Sequence, residues 1–382
     1  MRYVINCFLC LCFFLSLCHS SVYAGAGIIP APPQINATAY LLMDFNSKQM
    51  LAEKNIDEKL QPASLTKVMT VYVIASELAA GRLSMDEKVI VSEKAWKMGG
   101  SRMFIEVNKE VSVGDLLKGI IIQSGNDASV AMAEYISGTE EVFSELMNHY
   151  SNKLGLKNTH YTNSTGLPDE NHYTSARDLA ILAMALIRDF PGIYELHSVK
   201  EFTFNDISQG NRNGLLWKDS SVDGIKTGHT EAAGYCLLSS ARRDNMRLIS
   251  VVMGASSFDA REQASLALFN YGFRFYETRE LFSSGSTVTT TRIWKGVNDR
   301  VNLGVPDNIF ITYPRGQFDE INTDFELPDI IEAPVSRGER LGGFRISLNQ
   351  KELSRGDLIV IESIAEAGLL GRLKDNIQLI FR

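Results

Sequence analysis

The chain has 382 residues, of which 45% are apolar and 22% charged, and its formal net charge is −7. This length favours two domains, and the composition is ordinary for a soluble globular protein with a substantial core. No run of basic residues is longer than Arg242-Arg243. Nucleic acid is therefore not expected as a partner, since proteins that bind it normally show a basic surface.

The first 24 residues are typical of a secretory signal peptide. Arg2 supplies a positive start, residues 5–17 are almost wholly apolar, and Val22-Tyr23-Ala24 is a cleavage-site pattern. The apolar run is short for a membrane span, which needs about 20 residues, so cleavage is favoured over an uncleaved anchor. The sequence gives little support for a lipoprotein anchor through Cys18, because Leu17 occupies a position where such a cleavage site has a small residue. We predict an exported protein.

Four of the five cysteines lie in that peptide, so the mature chain keeps only Cys236 and has no internal disulfide. Cys236 falls in an apolar run that reads as a strand. This context favours a buried small hydrophobic residue over a catalytic thiol.

The pattern predicts one α+β domain over residues 27–274. Two short strands around the turn Asn46-Ser47 form a hairpin. Apolar residues at helical spacing follow over residues 64–80, 113–122, 128–136, 140–154 and 176–188. Residues 155–174 are rich in turns and long for a connector, which is typical of a segment that forms part of a site. Three β segments and a helix over residues 261–271 end the domain, so strands from both ends are expected to share one antiparallel sheet.

Residues 275–364 lose the helical periodicity and carry short alternating strands, which predicts a small all-β sandwich domain. Residues 365–382 form a third segment, with apolar residues at helical spacing and basic residues beside them. An amphipathic helix of this kind lies in a membrane interface or docks on the β domain. The spacing alone leaves both interpretations open.

Ser64 and Lys67 stand three residues apart at the start of the predicted helix 64–80, so their side chains can meet. If Ser64 were only a cap, Glu or Gln would be favoured three residues later. The sequence has a cation there, at the positive end of the helix dipole, which disfavours the charged ammonium. A neutral lysine beside a serine is a general base beside a nucleophile. A lone S-x-x-K match occurs by chance about once in a chain this long, so by itself it favours a polar helix start.

Two further motifs strengthen the catalytic interpretation. Ser124-Gly-Asn126 lies between two predicted helices, where a tight turn would present a hydroxyl and an amide together. Lys226-Thr-Gly228 ends a predicted strand and offers a cation and a hydroxyl, while the glycine leaves room for a substrate backbone. Each alone reads as a simple turn, but all three in this order form a strong combined signal.

Other catalytic signatures are missing from the sequence. There is no His-Glu-x-x-His motif, Ser64 is not in a G-x-S-x-G elbow, and the histidines are scattered singly. Neither a metal nor any other cofactor is predicted.

The three motifs resemble those of the penicillin-recognising serine enzymes. The details are similar to the low-molecular-mass penicillin-binding proteins that act as D-alanyl-D-alanine carboxypeptidases. Beyond Ser64-Leu-Thr-Lys67, Ser124-Gly-Asn126 and Lys226-Thr-Gly228, residues 223–230 and 272–278 also look like that subfamily. The resemblance spans the catalytic domain, the β domain and the C-terminal segment.

The resemblance implies a role for each motif residue. Ser64 attacks the carbonyl between the two terminal D-alanines and forms an acyl-enzyme, while Lys67 takes its proton and activates the deacylating water. Ser124 relays a proton to the departing D-alanine, and Asn126 orients Lys67 and the substrate amide. Backbone N–H groups of Ser64 and His229 form the oxyanion hole, whereas the His229 side chain need not take part.

Substrate binding is implied in the same way. Residues of Lys226-Thr-Gly228 bind the terminal carboxylate, helped by Arg261 in the run Phe-Asp-Ala-Arg-Glu. The alternative for Arg261 is a solvated residue in the first turn of a helix. Asp127 and Asp223 are interpreted as structural.

The resemblance also implies the partners and the location. These are a peptidoglycan pentapeptide ending in D-Ala-D-Ala, β-lactam antibiotics as inhibitors, and a membrane surface bound through the helix at residues 365–382. The protein would sit on the periplasmic side of the cytoplasmic membrane as a peripherally anchored enzyme.

Three other functions compete with the carboxypeptidase. A class A β-lactamase would carry Ser-Asp-Asn and a deacylating Glu-x-x-Leu-Asn, whereas this chain has Ser-Gly-Asn, and Glu170 lacks that spacing. A DD-endopeptidase is chemically closer, but the β domain and tail favour the carboxypeptidase. A non-catalytic penicillin sensor has no need of the nucleophile and base at Ser64 and Lys67.

Overall fold

A computed structural model describes residues 29–381. The predicted signal peptide lies outside the described residues. The strands are β1 (Ala39–Asp44), β2 (Met50–Lys54), β3 (Lys88–Ile90), β4 (Glu110–Ser112), β5 (Glu201–Phe204), β6 (Ile207–Gly210), β7 (Val222–Thr230), β8 (Gly234–Arg243), β9 (Met246–Ala255), β10 (Tyr276–Phe282), β11 (Thr289–Arg292), β12 (Arg300–Gly304), β13 (Ile309–Pro314), β14 (Ile321–Glu326), β15 (Arg340–Leu348) and β16 (Lys351–Val360).

The α-helices are α1 (Lys67–Ala79), α2 (Glu93–Trp96), α3 (Val113–Lys118), α4 (Asn126–Ser137), α5 (Glu140–Leu154), α6 (Ala176–Asp189), α7 (Pro191–Tyr194), α8 (Leu215–Lys218), α9 (Phe258–Phe275) and α10 (Leu369–Ile380). A π-helical segment, Gly119–Gln123, continues α3, and short 3₁₀ turns cover Ala63–Thr66, Glu195–Ser198 and Phe318–Glu320.

The first domain is organised by a five-stranded sheet in the order β2-β1-β9-β8-β7, with antiparallel neighbours. β1 pairs with β9, from Ala39 opposite Met253 to Asp44 opposite Leu248. Strands from both ends of the domain therefore share one sheet, as the sequence predicted. Helices pack on both faces of the sheet, so nearly every side chain of its central strands is buried. For this reason these strands are continuous apolar runs in the sequence.

Successive residues of these strands enter different cores. Leu41 and Val251 pack against the helical region that includes α1, α4 and α6, whereas Leu42 and Val252 face α9. Side chains alternate between the faces of a strand, so each strand contributes to both cores. Helix α1 is buried from Lys67 to Ala75, as expected of a helix that is apolar on all sides.

The second domain is all-β, as predicted. The pair β10-β13 and the five-stranded sheet β11-β12-β16-β15-β14 share one core, in which Tyr313 of β13 packs with Leu303 and Ile346. Helix α9 ends at Phe275 and β10 begins at Tyr276, so the two domains are joined without a linker. The limits 27–274, 275–364 and 365–382 stay predictions.

A buried network of hydrogen bonds fixes the junction between the domains. The Thr278 hydroxyl donates to the fully buried carboxylate of Asp44 over 2.7 Å. The Thr312 hydroxyl lies 2.8 Å from that of Thr278 and 2.6 Å from that of Ser47. Because buried polar groups are costly to leave unpaired, this network favours one relative placement of the domains.

The C-terminal helix α10 docks on the β domain through its polar side. The half-buried face consists of Gly371, Arg372, Asp375 and Leu379. Asp375 accepts a hydrogen bond from the backbone N–H of Lys295. The apolar residues Leu369, Leu370, Leu373, Ile377, Ile380 and Phe381 are all at least half exposed. Within residues 29–381, none of the helices combines the length and the apolar content that crossing a bilayer requires.

Candidate active site

The first predicted pair meets at the start of α1. Ser64 lies in a 3₁₀ turn, Ala63–Thr66, and Lys67 is the first residue of the α-helix. The Lys67 ammonium nitrogen lies 3.0 Å from the Ser64 hydroxyl oxygen. Ser64 is half-buried while Lys67 is fully buried, so the hydroxyl is accessible to a substrate and the amine is shielded from water.

Two further groups hold the amine of Lys67. It donates to the side-chain oxygen of Asn126 and to the backbone carbonyl of Thr165, each over 2.7 Å. These two oxygens can only accept hydrogen bonds. A neutral amine has two N–H groups and one lone pair. Once both N–H groups point at Asn126 and Thr165, the lone pair faces the Ser64 hydroxyl, in the position of a general base.

Burial lowers the pKa of Lys67 from 10.5 to about 7, partly opposed by the negative charges of Asp127 and Glu140. From the sequence, the helix dipole is the expected cause of a neutral amine at Lys67. The structure corrects this attribution, because removal of the amine from water is the dominant cause.

The second motif contributes from the start of α4. Ser124 adopts the left-handed conformation with φ 61°, which turns the chain from the π-helical segment into α4. Asn126 accepts from Lys67 and donates to the backbone carbonyl of Gly99 over 2.7 Å, so its amide orientation is fixed. Among residues 29–381, the buried hydroxyl of Ser124 has no hydrogen-bond partner. It is therefore free to bond a substrate atom.

The third motif lies within β7, an edge strand that runs from Val222 to Thr230. The expectation that Lys226-Thr-Gly228 ends a strand was wrong, because pairing with β8 continues through His229 and Thr230. Lys226 and Thr227 are both buried. Burial lowers the pKa of Lys226, and the positive charges of Lys67, Arg261 and Arg212 lower it further. An anion bound at this point would relieve that repulsion.

The first and third motifs approach closely at Gly228. A Cβ atom built on Gly228 would lie 2.9 Å from the Pro62 carbonyl oxygen and 3.1 Å from the Ser64 amide nitrogen. A side chain at this position would separate β7 from the turn that carries Ser64. The glycine is thus required by the contact between the strand and the nucleophile turn.

Arg261 lies behind β7 and is 2% exposed, so the alternative of a solvated residue was wrong. Its guanidinium donates to the carbonyl oxygens of Gly228, over 3.1 Å, and Cys236, over 3.3 Å. It also lies 4.8 Å from the ring centre of Phe258. The exposed ring of His229 stacks on Tyr235 with centres 4.0 Å apart.

Asp127, Asp223 and Cys236, which the sequence predicted to be non-catalytic, make structural contacts around the site. The Asp127 carboxylate accepts from the backbone N–H groups of Met103, Phe104 and Ile105. Asp223 accepts from the Tyr194 hydroxyl and pairs with Arg247. Cys236 is fully buried, and burial raises its thiol pKa to about 11, as expected of a non-catalytic cysteine.

Sequence reasoning missed Thr165 and Gly166, although it marked residues 155–174 as part of a site. The Asn163 side chain accepts from the backbone N–H groups of Thr165 and Gly166, which closes a turn beneath Lys67. Gly166 has φ +85°, and a Cβ atom there would lie 1.8 Å from the Ala63 carbonyl oxygen. The Asn-x-x-Gly spacing was the available signal, but only the fold reveals what the turn contacts.

We expect Gly166→Ala to lower the rate of β-lactam acylation at least tenfold. The added methyl group would push the 163–167 turn away from Ala63, and the Thr165 carbonyl would lose its place beside the Lys67 amine. Stopped-flow acylation rates and thermal melts test this expectation.

Gly155→Ala is the matched control, because Gly155 also has a positive φ, +75°, but open space around its Cβ position. Both substitutions therefore impose the same backbone strain. Equal acylation rates in the two variants would contradict the close approach at Gly166.

Comparison with known proteins identifies the family. Residues 27–257 match the family model described as D-alanyl-D-alanine carboxypeptidase, and residues 276–366 match the model described as penicillin-binding protein 5, C-terminal domain. The chain belongs to the D-alanyl-D-alanine carboxypeptidase family. This membership confirms the predicted resemblance, the fold class and the serine-type carboxypeptidase activity.

Relatives of this D-alanyl-D-alanine carboxypeptidase match between 63% and 96% of the chain. It is 43% identical to D-alanyl-D-alanine carboxypeptidase DacA of Escherichia coli K12 over 376 residues, which is 96% of this chain and 93% of the relative. The crystal structure of penicillin binding protein 5 from Haemophilus influenzae has a TM-score of 0.86 at 44% identity, covering 88% of this chain and 100% of that chain. Penicillin-binding protein D2 of Listeria monocytogenes was solved in an ampicillin-bound form. It has a TM-score of 0.58 at 28% identity and covers 63% of this chain and 100% of that chain.

Proposed function

We propose that Ser64 is the nucleophile of the carboxypeptidase reaction and Lys67 its general base. The observation that carries this proposal is the arrangement around the Lys67 amine. Two obligate acceptors, the Asn126 side-chain oxygen and the Thr165 carbonyl, take its N–H groups, and the Ser64 hydroxyl lies 3.0 Å away on the remaining side. With a pKa of about 7, the amine is substantially neutral at neutral pH.

The proposed proton path runs from Ser64 to Lys67 and then through Ser124. The Ser64 hydroxyl proton passes to the Lys67 amine as the serine oxygen bonds to the carbonyl carbon before the last D-alanine. Collapse of the oxyanion breaks the peptide bond, and the Lys67 ammonium passes its proton through the Ser124 hydroxyl to the leaving amine, which leaves Lys67 neutral again. Water then attacks the acyl-enzyme with Lys67 again as base, which releases the shortened peptide and restores Ser64.

Lys226 and Thr227 are proposed to bind the terminal carboxylate of the substrate. Burial lowers the pKa of Lys226 and nearby positive charge lowers it further, so a bound anion would stabilise its charged form. Arg261 contributes positive charge from behind the strand and fixes the carbonyl of Gly228. The backbone N–H groups of Ser64 and His229 form the proposed oxyanion hole, where one donor is worth about 2.7–4 kcal/mol in other enzymes.

The proposed substrate is a peptidoglycan pentapeptide ending in D-Ala-D-Ala, and β-lactams are proposed to acylate Ser64. The ampicillin-bound form of the Listeria relative supports the second point. A β-lactam carbonyl would meet the same nucleophile and the same oxyanion donors as the peptide carbonyl.

Release of free D-alanine from a soluble pentapeptide tests this function directly, with penicillin turnover measured beside it. We expect steady D-alanine release and slow penicillin turnover. Fast penicillin turnover without D-alanine would favour a β-lactamase. Stable penicillin labelling without peptide turnover would favour a sensor, and release only from cross-linked peptides would favour an endopeptidase.

We also propose that the protein is exported and bound to the outer face of the cytoplasmic membrane through α10. The exposed apolar stripe on this helix supports the proposal, since Leu370 is 85% and Ile380 is 78% exposed. Such a stripe, with Lys374 beside it, suits the interface of a bilayer.

Deletion of residues 368–382 should move the protein from the membrane fraction to the soluble fraction without loss of activity on soluble peptide. Among residues 29–381, the hydrogen bonds of the helix to other elements go to Arg292 and Lys295 of the β domain, so we expect the catalytic residues to stay in place. Fractionation and D-alanine release are the measurements. Lys374→Gln, which keeps the stripe, should stay largely in the membrane fraction, and membrane association after the deletion would reject the anchor.

A further inference from the structure

A cleft of about 640 Å³ opens at the junction of the two domains, and none of the active-site residues lines it. Its charged lining consists of four arginines and two carboxylates, namely Arg243, Arg274, Arg279, Arg315, Asp244 and Glu277. We call this feature the arginine cleft. The catalytic mechanism makes no use of it.

The guanidinium groups of the arginine cleft are held by rings and backbone carbonyls. Arg243 lies 4.6 Å from the ring centre of Phe273, and Arg279 lies 4.5 Å from that of Phe318. Arg315 donates to the carbonyl oxygen of Phe273 over 3.0 Å. A stacked guanidinium keeps its N–H edge available for a planar oxyanion, and little side-chain entropy remains to be lost on binding.

The positive charge of the arginine cleft is only partly compensated. Arg243 pairs with Asp219 over 2.8 Å, but Glu277 lies 3.9 Å from both Arg279 and Arg315, too far for a hydrogen bond. Within residues 29–381, Arg274 has a ring contact with Phe275 and neither a hydrogen bond nor an ion pair. With Asp219 counted beside the two lining carboxylates, the four arginines keep one net positive charge.

The cleft is preformed, because both domains supply its walls and the junction is fixed. Thr278 lines the cleft and also donates to the buried Asp44 of the catalytic domain. Hence the arginines of α9 and β10 keep their spacing without a ligand. A preorganised cluster of this kind loses little free energy to ordering when an anion binds.

We propose that the arginine cleft binds carboxylates of peptidoglycan stems that neighbour the stem being cleaved. This inference rests on the proposed function. A stem that ends in D-alanine carries a free carboxylate, so a polymer with many stems is a polyanion. Carboxylate is the group whose planar geometry matches a guanidinium edge.

Distance separates the arginine cleft from the stem in the active site. At one end of β8, Tyr235 stacks on His229 of the active site, and at the other end Arg243 lines the arginine cleft. The eight residues of strand between them span about 27 Å. A five-residue stem extends about 18 Å at most. One soluble pentapeptide therefore cannot fill both sites, whereas a polymer can, and the arginine cleft should affect only polymer binding.

The test compares binding to purified insoluble peptidoglycan with activity on soluble pentapeptide. The mature full-length chain is first acylated with penicillin, so that the active site does not contribute to sedimentation with the polymer. In the double variant Arg274→Gln/Arg279→Gln, we expect at least a threefold weaker apparent affinity for the polymer. The kcat/KM for soluble pentapeptide should stay within twofold of wild type.

The matched control is Arg340→Gln/Arg355→Gln, which removes two exposed positive charges from β15 and β16 of the β domain. Unchanged polymer binding in the first variant, or an equal loss in the control, would overturn the proposal. Inorganic phosphate is the second probe. If calorimetry shows phosphate binding that needs Arg274 and Arg279 while polymer binding does not, the cleft is a small-anion site and the proposal fails. Absence of D-alanine release by wild type would instead refute the proposed function.

Discussion

Ser64→Ala is expected to abolish both D-alanine release and covalent labelling by penicillin. The substitution removes the oxygen that would bond to the substrate carbonyl, and the Lys67 amine has no other hydroxyl among its hydrogen-bond partners. In another serine hydrolase, loss of the nucleophile costs about 2 × 10⁶ in kcat. Labelling with fluorescent penicillin and a D-alanine assay measure the two losses.

Ser76→Ala is the matched control for this variant. Ser76 lies on the same helix, α1, and its hydroxyl donates to the Tyr72 carbonyl over 2.9 Å, away from the site. We expect its activity to stay near that of wild type and the thermal melts of both variants to remain cooperative. Covalent labelling of a folded Ser64→Ala protein would reject Ser64 as the nucleophile.

The second large effect concerns Lys67. The rate of acylation by a β-lactam should rise with pH and level off above an apparent pKa of about 7. The sign follows from the chemistry, because a base must be neutral to accept a proton. Below pH 7 the buried amine is protonated, and each unit of decrease in pH should lower the rate about tenfold. Stopped-flow acylation between pH 5 and pH 9 gives the profile.

Lys67→Met removes the base and should lower the acylation rate by about 10²–10⁴-fold, the usual contribution of a positioned general base. The pH dependence near 7 should disappear with it. Lys97→Met, which removes an exposed lysine paired with Glu93, should leave both the rate and the profile unchanged. A profile in Lys67→Met that still rises through pH 7 would assign the titration to another group.

Several features of this protein follow from its sequence with little help from the fold. The helix Glu140–Leu154 can be read from its helical periodicity, because its apolar positions lie on one face. The helix after Ser64 and strands β8 and β9 can be read as long apolar runs, because they are buried on all sides. The three motifs also specify their chemistry locally, since a serine and a lysine three residues apart on a helix can meet.

Other features depend on contacts between distant segments. The Thr165 carbonyl that takes one N–H of Lys67 lies 98 residues away along the chain, and no local pattern marks it as a partner. Glycine is required at positions 166 and 228 because the 3₁₀ turn at Ala63 packs closely against both. Burial of a residue is likewise set by everything packed around it.

The difference is clearest at Lys67 itself. The sequence determined that a serine and a lysine share one helix face and that two further motifs exist to join them. Only the tertiary structure decided that the lysine is fully buried, with two of its donors engaged and its pKa lowered to about 7. The physical reason is that desolvation depends on the whole shell of neighbours, whereas helical spacing depends on three residues.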